Sequence, residues 1–182
     1  MKRLVMNKNF NVFSLLILFL LICPLSAQLL GIKGAGIQGG VVFPENWGTG
    51  LNLGARLDFG ELTKQVYVIP MITYWNAKKD TIGMSNIALA ADLQYFPFHE
   101  QEGAYIGVGL SYNFLSWDYY YIIYAPTVTE NLGHTDDRRI GFYPIIGYVH
   151  TIDQFSLFAE LKYNLISDFD AFQFTLGATM KL

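Results

Sequence analysis

The last eleven residues of the chain alternate strictly. Phe172, Phe174, Leu176, Ala178, Met180 and Leu182 are apolar, and Gln173, Thr175, Gly177, Thr179 and Lys181 between them are polar or small. Successive side chains on a strand point to opposite faces, so this period gives a strand one apolar and one polar face. It recurs upstream. Phe155, Leu157, Ala159, Leu161, Tyr163 and Leu165 alternate with Ser156, Phe158, Glu160, Lys162 and Asn164. Ala104 to Phe114, Ile87 to Tyr95 and Leu51 to Phe59 read the same way. Three further segments are weaker: 31–42, 66–76 and 139–150. The first is rich in glycine, so its faces are ambiguous. The other two contain Pro70 and Pro144, which cannot donate to a ladder, and a bulge is expected at each. Each of the eight segments has about the length of a tilted membrane-crossing strand. An even number of antiparallel strands returns the chain to its starting side. The expected fold is all-β: an eight-stranded antiparallel up-and-down transmembrane β-barrel spanning residues 28–182.

Residues 1–27 read differently. Lys2, Arg3 and Lys8 precede an apolar run from Phe10 to Ile22, Pro24 breaks it, and Leu25-Ser26-Ala27 ends on a small residue. This is the layout of a secretory signal peptide, with cleavage expected after Ala27. The run is too short for a spanning helix, which needs roughly 20 residues. A lipoprotein signal would use the single cysteine, Cys23, but would place a small residue before it, where Ile22 stands. Cleavage leaves no cysteine and therefore no disulfide or thiolate metal site. The segment carries three of the twelve basic residues and none of the fifteen acids, so the remainder has a net charge of 9 − 15 = −6. That balance excludes a nucleic-acid footprint.

A soluble barrel turned inside out would alternate in the same way. Aromatic residues at the strand ends favour lipid. Phe59, Tyr95, Tyr105, Tyr148 and Phe155 fall near one end, and Tyr74, Tyr112, Phe114, Phe142, Tyr163 and Phe172 near the other. Two such belts suit the two membrane interfaces. The polar face carries Arg56, Asp92, Glu160 and Lys162 in mid-strand under one parity. In a narrow lumen these charges must pair, so they are expected to form a mixed-sign network that fills it. The start expected of a lipocalin, Gly-x-Trp near the first strand, is missing. The longest connection, 115–138, falls on the expected outer side. Its stretch Trp117 to Tyr124 is aromatic and aliphatic, and 127–139 is polar. Three readings of it stand: a hairpin prolonging two strands, a recognition surface for an extracellular ligand, or aromatic packing at the barrel mouth.

With these residues in hand, the chain from 28 to 182 resembles the small outer-membrane β-barrel domain family, the group of the outer membrane protein A barrel and its short relatives. The most specific match is the final strand, where Thr175-x-Gly177-x-x-Met180-x-Leu182 resembles the barrel-assembly signal. The family usually ends on an aromatic residue, and Leu182 departs from that. The resemblance implies the outer membrane of a Gram-negative envelope, lipid contact and handling by the barrel-assembly machinery during insertion. It does not extend to the family's peptidoglycan-binding domain, so cell-wall anchoring is not implied.

Little in the sequence suggests catalysis. The histidines past residue 27 are His99, His134 and His150, and no serine lies within two residues of any of them. His134, Asp136 and Asp137 lack a second histidine or a cysteine at ligand spacing and read as a solvated loop. Gly34-x-Gly36 and Gly107-x-Gly109 have period two, which suits close strand packing rather than a phosphate loop. The expectation is a non-enzymatic outer-membrane protein without cofactor or metal, with a structural or surface-interaction role. A narrow, porin-like channel is the second reading and a lipid-modifying enzyme the third.

Overall fold

The computed structural model describes residues 31–79, 82–98, 101–124 and 128–182, so the expected signal peptide and Ala27 lie outside the described residues. The strands are β1 (Gly34–Pro44), β2 (Gly50–Asp58), β3 (Glu61–Thr63), β4 (Val66–Lys79), β5 (Ile82–Tyr95), β6 (Gly103–Tyr124), β7 (Val128–Ile152), β8 (Phe155–Ile166) and β9 (Ala171–Lys181). They form one sheet in the order β2-β1-β9-β8-β7-β6-β5-β4-β3, and β2 also pairs with β4, which closes it. The three-residue β3 continues the line of β2 along β4, so the wall has eight strands, all antiparallel and joined to their sequence neighbours.

Alternation decides which side chains enter. Along β8, Ser156, Phe158, Glu160, Lys162 and Asn164 are buried inside, while Leu157, Leu161, Tyr163 and Leu165 face out. The outward set is apolar round the whole wall. Ile37, Leu51, Leu53, Ile106, Leu110 and Ile140 are each more than half exposed. A continuous apolar band of this extent is not a surface that water tolerates, and it fits lipid.

Two of the three weaker segments, β4 and β7, are apolar on both faces. Tyr67, Ile69, Met71 and Trp75 of β4, and Tyr143, Ile145 and Val149 of β7, point into the lumen. They form two apolar layers. One, near the short turns, includes Tyr67, Ile69, Phe96, Tyr105, Val149 and Phe158. The other, at the opposite mouth, gathers Val42, Trp75, Ala77, Met84, Leu115 and Ile166. Tyr105 therefore belongs to the lumen, not to the aromatic belt expected for it.

The prolines also behave differently from expectation. The β7–β8 register is the same on either side of Pro144, from Phe142↔Leu165 to Ile145↔Lys162, so the ladder lapses there without an inserted residue. The β2–β4 ladder ends at Arg56↔Met71, next to Pro70. Beyond it, Phe59 N–H donates to Val68 O, and Val68 N–H donates to Gly60 O. Two residues there oppose one, and Gly60 takes φ +80°, so the bulge lies in the facing strand rather than at Pro70.

Four aromatic rings, three in the lumen and Tyr119 on the exposed hairpin, lie across glycines of the neighbouring strand. Tyr143 pairs with Gly109, Tyr105 with Gly147 and Tyr119 with Gly133 across β6–β7, and Phe158 with Gly177 across β8–β9. A methyl group on Gly109 would stand 2.2 Å from the Tyr143 ring, whose hydroxyl is anchored elsewhere. Gly109→Ala should therefore destabilise the barrel by about 1 to 3 kcal/mol, as overpacking does. Denaturant titration of the refolded protein in micelles checks this; an unchanged midpoint would show that the ring is free to move.

The connection expected at 115–138 is a continuation of β6 and β7. The two strands stay in register up to Tyr124↔Val128. Pairing with β5 stops at Trp117, and pairing with β8 stops at Gly141. Above those points the hairpin stands alone, rising by about 20 to 25 Å at the usual strand spacing. Of the three readings of this segment, the prolonged hairpin is the one observed.

Candidate functional site

Inside the barrel, between the two apolar layers, lies a plate of charge. Arg56, Asp92, Glu160 and Lys162 come from β2, β5 and β8 and are all buried. Arg56 Nη1 donates to Glu160 Oε1 at 2.6 Å. Lys162 Nζ lies 2.9 Å from Asp92 Oδ2 and 3.0 Å from Glu160 Oε2. The Tyr105 hydroxyl donates to Glu160 at 2.5 Å and the Tyr143 hydroxyl to Asp92 at 2.6 Å, while Gln94 Nε2 adds a bond to Glu160 at 3.2 Å. The Arg56 guanidinium also lies 4.0 Å above the centre of the Phe158 ring. Each charge thus meets its opposite, as buried charges must. Tyr105 and Tyr143, the two lumen tyrosines that rest on glycines, hold the carboxylates.

Above the plate is a neutral polar layer. Asn86 Nδ2 donates to Asn113 Oδ1 at 2.8 Å, and Asn52 Nδ2 donates to Thr175 Oγ1 at 3.2 Å. Gln38, Asn164 and Lys162 help to line a cavity there of about 20 Å³, and a second of about 20 Å³ lies on the other side of the plate beside Arg56 and Gln94. Each has room for about one water molecule. An eight-stranded interior is just wide enough for side chains to fill, and these side chains fill it.

The residues of the expected assembly signal divide between the faces. Thr175 is buried in the lumen and Gly177 underlies Phe158, whereas Met180 and Leu182 point outward.

On the outer face of the sheet, near the raised hairpin, three rows cross β4 to β7. Tyr74 pairs with Ile87, Ile87 with Phe114, and Phe114 with Arg138. The next row is Asn76, Ser85, Ser116 and Asp136, each paired with the one before it. Beyond that, Lys78 pairs with Gly83, and Asp118 pairs with His134. The surface changes from apolar to polar within two rows, as at the edge of a membrane.

In the polar rows, Ser116 Oγ lies 3.0 Å from His134 Nε2, and His134 Nδ1 lies 3.0 Å from Asp118 Oδ1. Asp136 Oδ1 is 3.4 Å from Nε2. A carboxylate can only accept, so Nδ1 carries a proton, and in the neutral ring Nε2 accepts from the Ser116 hydroxyl. The hydrogen bond to Asp118, helped by the charges of Asp136 and Asp118, raises the His134 pKa above the ordinary histidine value. Nothing near His134 in the chain marks this cluster, because the serine is distant in sequence. Ser116 is 18 residues from His134 and reaches it only because the hairpin stays in register. Asp137 lies outside this cluster and pairs with Arg139 at 2.7 Å. Segment 133–138 is paired strand rather than the solvated loop expected for it.

No family model matches the chain, and no curated relative does either. Solved structures do. The N-terminal β-barrel domain of Pseudomonas aeruginosa OprF is 13% identical with a TM-score of 0.54, covering 84% of this chain and 99% of that one. Ail, the attachment invasion locus protein of Yersinia pestis, solved in complex with the heparin analogue sucrose octasulfate, is 12% identical with a TM-score of 0.52, covering 84% and 100%. At such identities the likeness is one of fold, and the fold of this chain is that of the small eight-stranded outer-membrane β-barrels.

Proposed function

We propose that this protein resides in the bacterial outer membrane as a sealed barrel that holds a raised hairpin above the surface, with a structural or surface-interaction role. The observation that carries the reading is the unbroken outward band of leucine, isoleucine and phenylalanine around a lumen filled by paired charges. Residues 1–27 serve as the export signal, and the mature protein begins at Gln28. Lipid is the partner of the band, the barrel-assembly machinery receives the chain during insertion, and an extracellular ligand meets the hairpin. Fold alone does not assign a biological role; the hairpin, the one element standing clear of the wall among the described residues, is where contact with a partner is expected.

Two measurements test this together. The mature protein should fractionate with outer membranes, start at Gln28, and migrate differently on gels before and after boiling. In planar bilayers it should give no steady conductance. Recovery as a soluble species without a heat-dependent shift would overturn the membrane placement. Stable ohmic channels would show that the charge plate opens and would favour the channel reading.

A further inference from the structure

The Ser116 cluster sits where two surface grooves meet. One, of about 190 Å³, is lined by Asn76, Lys78, Gly83, Ser116, Asp118 and His134. The other, of about 730 Å³, includes Tyr74, Ile87, Phe114, Ser116 and Arg138 in its lining. Ser116 and Ser85 line both. The first groove lies towards the hairpin and carries Lys78, Asp118 and His134; the second lies towards the lipid band, with Tyr74, Ile87 and Phe114 on one side and Asp136, Asp137 and Arg138 along its polar edge. An amphiphile standing in the outer leaflet would place its chain in the second and its headgroup in the first, with its ester linkage beside Ser116.

We propose that Ser116, His134 and Asp118 form a serine-nucleophile site that takes acyl esters of amphiphiles at the outer membrane surface. Nucleophile, base and orienting acid stand in hydrogen-bonded sequence through the two opposite nitrogens of one imidazole, the arrangement by which such sites are recognised on unrelated folds. In the first step Ser116 Oγ bonds to the ester carbonyl carbon, and His134 Nε2 takes the hydroxyl proton. The carbon–alkoxide bond then breaks, and His134 returns the proton to the departing alcohol. Water attacks the acyl-serine by the same route, with His134 taking its proton, and releases the fatty acid and free Ser116. Asn76 and Lys78 line the groove and are the donors available to a developing oxyanion. Asp118 is a positioning residue: it holds the tautomer that leaves Nε2 free to accept.

The charged groups around the imidazole are Asp118 on β6, Asp136 on its own strand and Lys78 across the groove on β4. The acids hold His134 protonated to a higher pH than usual, so the base form, and with it the rate, should rise with pH through a value above that of ordinary histidine. Asp136→Asn removes one of those acids and should move this limb to lower pH.

The proposal rests on the outer-membrane placement, and the test separates the two. The full mature chain, refolded in detergent micelles, is treated with a fluorophosphonate probe and assayed with p-nitrophenyl laurate and p-nitrophenyl acetate. Labelling is expected at Ser116, with laurate turnover at least tenfold above that of Ser116→Ala and His134→Ala and a preference for laurate over acetate. Asp118→Asn should lower the rate and alter its pH profile. All variants should keep the heat-dependent gel shift, because these side chains lie outside the lumen. An intact shift with no Ser116 label, or with turnover within twofold of Ser116→Ala, overturns the site and leaves the barrel reading in place. Loss of the shift in the unmutated protein overturns both.

Discussion

Glu160→Leu should lower the unfolding free energy of the barrel by about 3 to 5 kcal/mol, the usual cost of removing one partner from a buried ion pair. Glu160 Oε1 accepts from Arg56, Tyr105 and Gln94, and its second oxygen faces Lys162. Without it Arg56 keeps the Phe158 ring but loses its counter-charge. Arg56→Leu strips the same pair from the other side and should cost a similar amount. Lys64→Leu, on the exposed turn between β3 and β4, should stay within about 0.5 kcal/mol of the parent. The double change Arg56→Leu/Glu160→Leu should cost less than the two single changes summed, because it leaves neither charge stranded. Urea titration in micelles, read by tryptophan fluorescence, measures all four. Equal midpoints for Glu160→Leu and Lys64→Leu would mean that the plate contributes nothing to stability.

Removing residues 172–182 should abolish the folded barrel altogether. These residues supply nearly all of β9, which bridges β1 and β8 through a full register on each side. Their loss exposes two rows of unpaired backbone groups that lipid cannot satisfy. The truncated chain should show no heat-dependent shift after refolding and should be degraded or aggregated in cells. Point changes separate structure from recognition. Met180→Asp and Leu182→Asp alter outward positions at the strand end and should still refold in micelles, while recovery in the outer membrane falls several-fold if these residues guide assembly. Normal membrane recovery of both variants would remove Met180 and Leu182 from any such role.

Much of this architecture is legible in the residue pattern, and the places where it is not have a common cause. Strands such as β8 and β9 separate cleanly because their lumen faces are polar. The parity that puts Arg56, Asp92, Glu160 and Lys162 on one side of the wall needs only that alternation. β4 and β7 blur because the lumen needs apolar filling above and below the charge plate, and these strands supply it with Tyr67, Ile69, Trp75, Tyr143 and Val149. Tyr105 misleads for the same reason: its position near a strand end suits a belt, but its parity sends it inward. The Ser116–His134–Asp118 cluster escapes any local search because its geometry depends on which residues of a long hairpin stand opposite one another. Residues 115–138 carry no turn signal near their start, so the rise of β6 and β7 beyond the wall is visible only once their register is known.

That register has its own safeguard. A slip of two residues is the smallest error that keeps every side chain on its proper face. In the β6–β7 hairpin it would set Tyr105 against Ile145 or Val149 in place of Gly147, and Tyr143 against Gly107 or Ser111 in place of Gly109. The slip that moves Tyr143 onto another glycine is the one that drives Tyr105 into Ile145. Tyr119, far up the hairpin, would leave Gly133 in either case. Spaced ring-on-glycine contacts therefore act as detents along a sliding pair: intermediate alignments meet steric resistance at one site or another, and only one alignment seats all three rings. A hairpin of more than twenty residues per strand can then find its alignment during insertion without help from the neighbours it lacks above the membrane.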